Sequence, residues 1–168
     1  IRLQRQGRLV SAILARNEGG KDRYLALVIK NAHKYCDKVL LLDDGSTDDT
    51  AQIATDLGCI VKRRTSDGWW GTDEVSARAQ LWHEAALLAW PDGWIYVADA
   101  DHELVGITPS DLRTCLLSTH VTAWALPLWD CWDSPETMRV DGYWVAHNHP
   151  RPWFFRAQPT PDYVPDWS

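Results

Sequence analysis

The sequence predicts an α/β fold in which a mainly parallel sheet carries helices on both of its faces. Short apolar segments rich in branched residues alternate with longer segments of helical periodicity, in the order β-α-β-α-β-α-β. Two of the apolar segments run directly into acidic loops, as strands do in open sheets that bind ligands beyond their carboxyl ends. A chain of 168 residues with 45% hydrophobic residues is long enough to bury a core, and we expect one domain.

Each predicted element rests on its apolar pattern. Residues 9–15 form a short run of mostly branched apolar side chains, whereas residues 25–32 place apolar side chains at helical spacing. Gly58 is predicted to stop the second helix, which Ser46 or Thr47 would cap. In chain order the predicted elements are strands at 9–15, 37–43, 59–63 and 94–98, and helices at 22–34, 46–57 and 73–90.

The last third of the sequence has a different pattern. Thr108 and Pro109 are predicted to begin a further helix, which ends near His120. Beyond it the alternation is loose, which predicts a short mixed β region. Its predicted parts are an alternating segment at 121–129, a turn at 133–136, an extended segment at 137–145, a short strand within 150–156 and an irregular tail to 168.

Composition argues against several classes of function. The net charge of −6 argues against a large nucleic-acid surface, and the four cysteines contain no C-x-x-C pair that would predict a zinc site. No apolar run approaches the length of about 18 residues that crosses a bilayer, so we expect no transmembrane segment and a cytoplasmic location. The eleven tryptophans offer flat rings that suit sugars or bases as well as a core.

Asp99-Ala100-Asp101 is the strongest chemical signal, because it follows the apolar run 94–98, which is predicted to be a buried strand. Two carboxylates at i and i+2 beyond a strand can hold a hard divalent cation that keeps positions open for phosphate oxygens. The plainer alternative is an acidic turn that ends a strand. A second acidic loop, 43–48, also follows an apolar run, and the pair favours a nucleotide and metal site.

Three segments resemble glycosyltransferase family 2, whose members have the GT-A fold. Residues 13–18 resemble the first-strand x-N-E segment of the family, and residues 39–50 resemble its D-D-G-S-T-D segment. Residues 92–101 resemble the segment that ends in D-A-D. The resemblance covers about residues 9–105, and it implies a single GT-A-like domain with a nucleotide-sugar-binding half there and a reduced acceptor-side half at 106–168.

The resemblance implies a transferase that moves a sugar from a nucleoside-diphosphate sugar to an acceptor hydroxyl. A UDP-sugar is the favoured donor, and inversion at the anomeric carbon is the expected outcome. The acceptor is left open among a glycan, a lipid, a protein and a modified nucleic acid. Mn²⁺ or Mg²⁺ is the implied cofactor, since a bound cation stabilises the charge that develops on the leaving diphosphate.

By position, the resemblance also assigns the donor-binding residues. Asp43 would hydrogen-bond the donor base, and Asp99 would lie near the ribose or the donor sugar. Arg78 would help to hold the phosphates, although a solvated helix arginine is an equal alternative. For Asp44, as for the acids at 48–49, charging of the helix start is the preferred interpretation. The donor-binding set is Ala15, Arg16, Asn17, Glu18, Asp43, Asp44, Gly45, Ser46, Arg78, Asp99 and Ala100.

The resemblance also implies a set of metal ligands. Asp101, together with Asp99, would coordinate the cation that bridges to the donor diphosphate. His149 is predicted to complete the site, because GT-A enzymes often place a C-terminal histidine on the metal. His147 is the alternative, since both histidines would point to one side of an extended segment. His102 stands where relatives often have Glu. It could reach the metal or orient Asp101, but the preferred prediction is that it lies in solvent.

An inverting transfer needs a carboxylate that takes the proton of the acceptor hydroxyl. The sequence after the D-A-D segment offers Asp130, Asp133, Glu136 and Asp141. Asp133 is ranked first because it lies beside tryptophans at a boundary between elements, and Asp141 is ranked second. An acid of a turn or a helix cap is the alternative for each.

Two other functions compete with the glycosyltransferase. A nucleotidyltransferase also uses acids and a metal, but residues 16–20 do not form a glycine-rich basic phosphate loop. A non-catalytic module that binds a nucleotide or a glycan is favoured by the short acceptor side. Metal-dependent donor hydrolysis would separate the enzymes from the module, and release of nucleoside diphosphate rather than pyrophosphate would separate the two enzymes.

Overall fold

The computed structural model describes residues 7–65, 73–132, 134–139, 141–143 and 145–158. Its strands are β1 (Leu9–Ala15), β2 (Lys38–Asp44), β3 (Ile60–Arg64), β4 (Trp94–Asp99), β5 (Ala123–Leu126), β6 (Cys131–Trp132), β7 (Ser134–Met138) and β8 (Arg151–Arg156). Its helices are α1 (Leu25–Tyr35), α2 (Thr50–Asp56), α3 (Glu74–Ala89) and α4 (Pro109–Leu116), with a 3₁₀ helix at Ala146–Asn148. Among these described helices, none is long and apolar enough to cross a membrane.

Six of the strands form one mixed sheet in the order β3-β2-β1-β4-β8-β5. The four strands from β3 to β4 are parallel, whereas β8 runs antiparallel to both β4 and β5. β6 and β7 pair separately as a small antiparallel ribbon. The predicted α/β class, with a mainly parallel sheet and a short mixed β region near the carboxyl terminus, is confirmed.

The parallel strands are buried on both faces, which explains why they are continuous apolar runs in the sequence. Ile13 and Leu41 face the side of the sheet where α1, α2 and α4 supply the core. Val10 and Leu40 face the opposite side, which α3 covers with residues that include Trp82. The prediction of helices on both faces is therefore confirmed.

Most predicted elements of the first half are confirmed within a few residues, but the start of α2 is wrong. The predicted cap at Ser46 or Thr47 lies too early, because the helix begins at Thr50. Asp48 is the reason. Its Oδ1 accepts from the backbone N–H of Thr50 at 3.0 Å and from the Thr50 hydroxyl at 2.5 Å, so the chain enters the helix there.

The carboxyl-terminal region contains further corrections. The turn predicted at 133–136 is wrong for residues 134–136, because β7 begins at Ser134. Among the described residues of the segment predicted to be extended over 137–145, strand structure ends with β7 at Met138. α4 ends at Leu116 rather than near His120, whereas its Thr108 cap is confirmed by a 3.1 Å hydrogen bond from the backbone N–H of Asp111.

A buried amide holds the segment that follows β4. Asn31 of α1 is only 5% exposed, and its Nδ2 donates to the carbonyl of Leu104 at 3.0 Å. Its Oδ1 accepts from the backbone N–H of the same residue at 3.0 Å. This pair of bonds satisfies both backbone polar groups of Leu104, and it fixes the chain just beyond Asp99-Ala100-Asp101.

We expect Asn31→Leu to lower the free energy of unfolding by about 3 kcal/mol, because it leaves a buried N–H and a buried carbonyl unpaired. Urea denaturation followed by circular dichroism measures the change. Gln52→Leu replaces an exposed amide and is the matched control, for which we expect a change within about 0.5 kcal/mol. Equal losses in the two variants would contradict the assigned role of Asn31.

Candidate functional site

A cleft of about 450 Å³ opens at the carboxyl edge of the parallel strands, where β1 and β4 end side by side. Parallel pairing of these strands brings the loop after β1 next to the D-A-D segment after β4. Such an edge is where open α/β sheets bind ligands. The residues that line the cleft are Leu14, Ala15, Arg16, Glu18, Asp22, Arg23, Tyr24, Glu74, Arg78, Asp99, Ala100 and Asp101.

The two acids of the D-A-D segment reach this cleft with different exposures. Asp99 is the last residue of β4, and its side chain is 41% exposed. The side chain of Asp101 is 69% exposed. Ala100, between them, is buried. One carboxylate is thus partly enclosed by protein, while the other is open to whatever enters the cleft.

Arg78 on α3 is held by two acids of the cleft. Its Nη2 lies 3.1 Å from Asp99 Oδ1, and its Nε donates to Glu74 Oε1 at 2.7 Å. Partial burial opposes its charge, but Asp99 and Glu74 outweigh this effect and raise the pKa of the guanidinium above its ordinary value. The alternative of a solvated helix arginine is wrong, because only 16% of the side chain is exposed.

The loop after β1 is joined to the loop after β2 by hydrogen bonds that begin at Asn17. The backbone N–H of Asn17 donates to Ser46 Oγ at 2.9 Å, and its side-chain Oδ1 accepts from the backbone N–H of Thr47 at 2.9 Å. Asn17 has a positive φ of 55°, a conformation that asparagine tolerates better than most residues.

The next two residues continue the same seam. Glu18 N–H donates to the hydroxyl of Thr50 at 2.8 Å, and Gly19 N–H donates to Asp48 Oδ2 at 2.8 Å. Slight burial opposes ionisation of Asp48, but the hydrogen bonds from Thr50 and Gly19 outweigh it and lower the pKa of this carboxyl. A Cβ on Gly19 would lie 2.8 Å from the backbone nitrogen of Thr50, so the two loops approach closely.

Asp43 is buried completely beneath these loops. Its Oδ1 accepts from the backbone N–H of Ser46 at 3.0 Å, and its Oδ2 accepts from Arg63 Nε at 2.8 Å. Arg63 also donates to the Ser46 carbonyl at 3.3 Å. The carboxylate therefore shapes the turn around Gly45, and its contact with a donor base stays a prediction.

Asp44 lies on the opposite face of the sheet, and its preferred interpretation as a charge at the helix start is wrong. It is the last residue of β2 and is 3% exposed. Its Oδ1 lies 3.2 Å from Arg64 Nε, and its Oδ2 lies 3.9 Å from Arg16 Nη1. Arg64 also contacts Asp73, at the start of α3. Alternation along β2 explains the difference, because Asp43 points to one face and Asp44 to the other.

Among the described residues, His149 forms no metal-holding group with the two acids of the D-A-D segment, and its role as a ligand stays a prediction. The described residues include no group of three or more His, Cys, Asp or Glu that could hold a metal ion. The extended segment that would align His147 and His149 is absent, because residues 146–148 form a 3₁₀ helix. His147 instead stacks on Trp129, with ring centroids 4.3 Å apart.

None of the candidate bases that the structure describes lines the cleft. Asp133, the first choice, lies outside the described residues. Asp141, the second choice, accepts from Arg139 Nε at 2.5 Å and from the backbone N–H of Tyr143 at 3.0 Å. Glu136 is exposed and Asp130 is half-buried. A catalytic role for Asp133 or Asp141 stays a prediction.

His102 does not lie in solvent, so that prediction is wrong. Its side chain is 19% exposed, and its ring packs edge-to-face against Trp153 with centroids 4.9 Å apart. Its Nδ1 accepts from the backbone N–H of Asp99 at 3.3 Å. Like Glu74 beside Arg78, this is a contact that the sequence analysis missed. The His next to the D-A-D segment was the signal, but its aromatic neighbour comes from a strand far along the chain.

The known proteins whose sequences resemble this chain match it over part of their length. No family model matches the chain. Uncharacterised proteins of Mycobacterium tuberculosis and Mycobacterium bovis are each 32% identical to it over 136 residues. This region makes up 77% of the chain and 32% of either relative. The chain therefore spans about a third of the length of the curated relatives it matches.

Solved structures also resemble part of the chain. One is a glucosyl-3-phosphoglycerate synthase from Mycobacterium tuberculosis in complex with Mn²⁺, UDP-glucose and phosphoglyceric acid. The match covers 70% of the present chain and 42% of the synthase chain, with 19% identity and a TM-score of 0.45. Another is a mannosyl-3-phosphoglycerate synthase from Rubrobacter xylanophilus. The match covers 70% of the present chain and 38% of that synthase chain, with 17% identity and a TM-score of 0.47. Likeness at this level leaves the chemistry of the present cleft to be argued from its own residues.

The positive φ of Asn17 gives a prediction about the seam between the loops. Asn17→Gly removes the bond to Thr47 and should lower the free energy of unfolding by about 1 kcal/mol. Asn17→Ala removes the same bond and also forces a Cβ without polar compensation into a left-handed conformation, so we expect a loss of about 2 kcal/mol. Urea denaturation of both variants measures the difference. Alanine no worse than glycine would mean that the backbone at this position is not constrained.

Proposed function

We propose that the chain is a metal-dependent glycosyltransferase domain with a GT-A-like fold, related to family 2, in which residues 9–105 form the nucleotide-sugar-binding half and residues 106–168 a reduced acceptor-side half. It moves a sugar from a nucleoside-diphosphate sugar, with UDP favoured, to an acceptor hydroxyl that is not identified. The observation that carries this proposal is the convergence of Asp99, Asp101 and Arg78 on one cleft at the carboxyl edge of a parallel sheet.

The donor atoms of the cleft fit a hard divalent cation. Asp101 presents a largely exposed carboxylate, and oxygen ligands are those that Mg²⁺ and Mn²⁺ prefer. Such ions are often held by one or two carboxylates together with substrate phosphates and water, so a cage of three protein ligands is not required. When bound, the cation would neutralise charge on the diphosphate leaving group.

Arg78 suits the role of a phosphate ligand at the same place. Its guanidinium is fixed by Glu74 and Asp99 and lines the cleft, and arginine offers several donors in a planar fork that matches phosphate oxygens. Because the side chain is already ordered, less rotamer entropy is lost when a diphosphate binds.

In the proposed reaction, the acceptor hydroxyl attacks the anomeric carbon while the bond from that carbon to the diphosphate oxygen breaks. The electron pair of the breaking bond leaves with the nucleoside diphosphate, and the hydroxyl proton passes to a carboxylate. Attack from the face opposite to the leaving group inverts the configuration. Asp133 and Asp141 stay the candidates for the base, in that order.

One observation favours the non-catalytic alternative. Asp141 is engaged by Arg139 and by the backbone of Tyr143, and such an acid is a poor base unless those bonds break. A module that binds the nucleotide sugar without transferring it would keep the cleft and lack the base. Nucleotide binding alone does not separate the two, whereas turnover does.

The test of the donor site is calorimetric titration of UDP with and without Mn²⁺. We expect Mn²⁺ to strengthen UDP binding to the native chain and Asp101→Asn to abolish this gain, because the amide keeps the shape of the carboxylate and removes its charge. Asp92→Asn is the matched control, since Asp92 is exposed and precedes β4 at the opposite end of the strand. We expect Asp92→Asn to bind as the native chain does.

Three outcomes would contradict the proposal. Failure of UDP, GDP, dTDP and CDP to bind with Mn²⁺ would remove the donor site altogether. Release of pyrophosphate rather than nucleoside diphosphate during turnover would instead support the nucleotidyltransferase. If one nucleotide binds but the chain releases no nucleoside diphosphate from the matching nucleotide sugar, the non-catalytic module is supported.

A further inference from the structure

We propose that His102 is a positioning residue that orients Asp101 through its Nε2–H, and that Trp153 fixes the imidazole for this purpose. The inference rests on the proposed function, since it concerns how this chain prepares the carboxylate that would hold the cation. The resemblance to family 2 does not supply it, because relatives often have Glu at this place.

A backbone contact fixes the tautomer of His102. Its Nδ1 lies 3.3 Å from the backbone nitrogen of Asp99, which is always a donor, so Nδ1 must accept. In the neutral ring the proton is then on Nε2. A second bond, from the backbone N–H of His102 to the carbonyl of Asp99 at 3.1 Å, closes the turn and holds the ring close to the end of β4.

Trp153 sets the direction of the His102 ring. Trp153 of β8 packs against it edge-to-face, with an angle of 83° between the ring planes. Trp153 is itself fixed, because its Nε1 donates to the carbonyl of Leu126 in β5 at 3.1 Å. The imidazole is thus constrained by the end of β4 on one side and by the antiparallel part of the sheet on the other.

The ring orientation places His102 Nε2 near the carboxylate of Asp101. Nε2 lies 3.7 Å from Asp101 Oδ1, too far for a direct hydrogen bond, although a small rotation of the exposed Asp101 side chain would close the gap. With Oδ1 accepting from Nε2–H, the other oxygen of Asp101 would be left for the cation. Ligating carboxylates are commonly oriented in this way by an outer hydrogen bond, and loss of such a bond weakens metal affinity.

The test separates the two nitrogens of the ring by amide substitutions. His102→Asn places an acceptor near the position of Nδ1 and has nothing at Nε2, whereas His102→Gln places its amide near Nε2. In the presence of Mn²⁺ we expect His102→Asn to weaken UDP binding about tenfold and His102→Gln to weaken it less. In the absence of Mn²⁺ we expect both to bind UDP as the native chain does.

A matched control and a metal-free readout accompany this titration. His120→Asn replaces an exposed histidine beyond α4, and we expect no change in either condition. In the native chain without metal, ¹⁵N nuclear magnetic resonance of the imidazole should show the neutral ring of His102 protonated at Nε2 and unprotonated at Nδ1. A purely structural histidine would instead alter the urea midpoint in both variants without changing the gain from Mn²⁺.

The outcomes distinguish this inference from the function on which it rests. If the native chain shows no gain in UDP binding from Mn²⁺, the proposed function fails and the role of His102 falls with it. If the native chain shows the gain and His102→Asn keeps it in full, only the role of His102 is overturned. A neutral ring protonated at Nδ1 would also overturn it.

Discussion

The parallel register of β1 with its two neighbours is the constraint on which the rest of the structure depends. Ala15 pairs with Asp43 of β2, and Leu14 pairs with Asp99 of β4, so three strands end at nearly the same level. Every polar group that follows these strands is then forced to one edge of the sheet. The cleft is a consequence of this alignment, and a shift of one strand by one residue would also exchange the faces that its side chains reach.

Much of the polar sequence at this edge maintains the edge itself. Asp43 is occupied by Ser46 and Arg63, and Asn17 is occupied by the loop after β2. Paired in this way, a buried carboxylate and the backbone of two loops avoid the cost of unsatisfied polar groups. Of the acids in the two acidic loops, Asp99 and Asp101 are the ones that line the cleft. The two acidic loops therefore differ in their contacts although they look equivalent in the sequence: Asp43 bonds to protein groups, whereas Asp99 and Asp101 line the cleft.

The fold and the location of the cleft could be predicted because they depend on local patterns. An apolar run such as Leu9–Ala15 and the acids after β4 carry their meaning within a few residues. The contacts of Asn31 and His102 could not be predicted, because their partners Leu104 and Trp153 come from distant parts of the chain. The amide of Asn31 bonds a residue 73 positions away, and no spacing rule marks such a pair. Local polarity alone also leaves open whether a histidine beside an acid packs or is solvated.

The charges of the cleft favour a donor that binds together with a cation. Among the described residues that line it, five carry carboxylates and three are arginines, so the formal net charge of the lining is five negative less three positive, or −2. A diphosphate that enters alone meets this net negative charge, which already includes the positive charge of Arg78. A divalent cation reverses the sign beside Asp101. By linkage, whatever the cation adds to the affinity for the proposed nucleotide, the nucleotide adds equally to the affinity for the cation. We therefore expect the proposed metal to bind more tightly when the proposed donor is present.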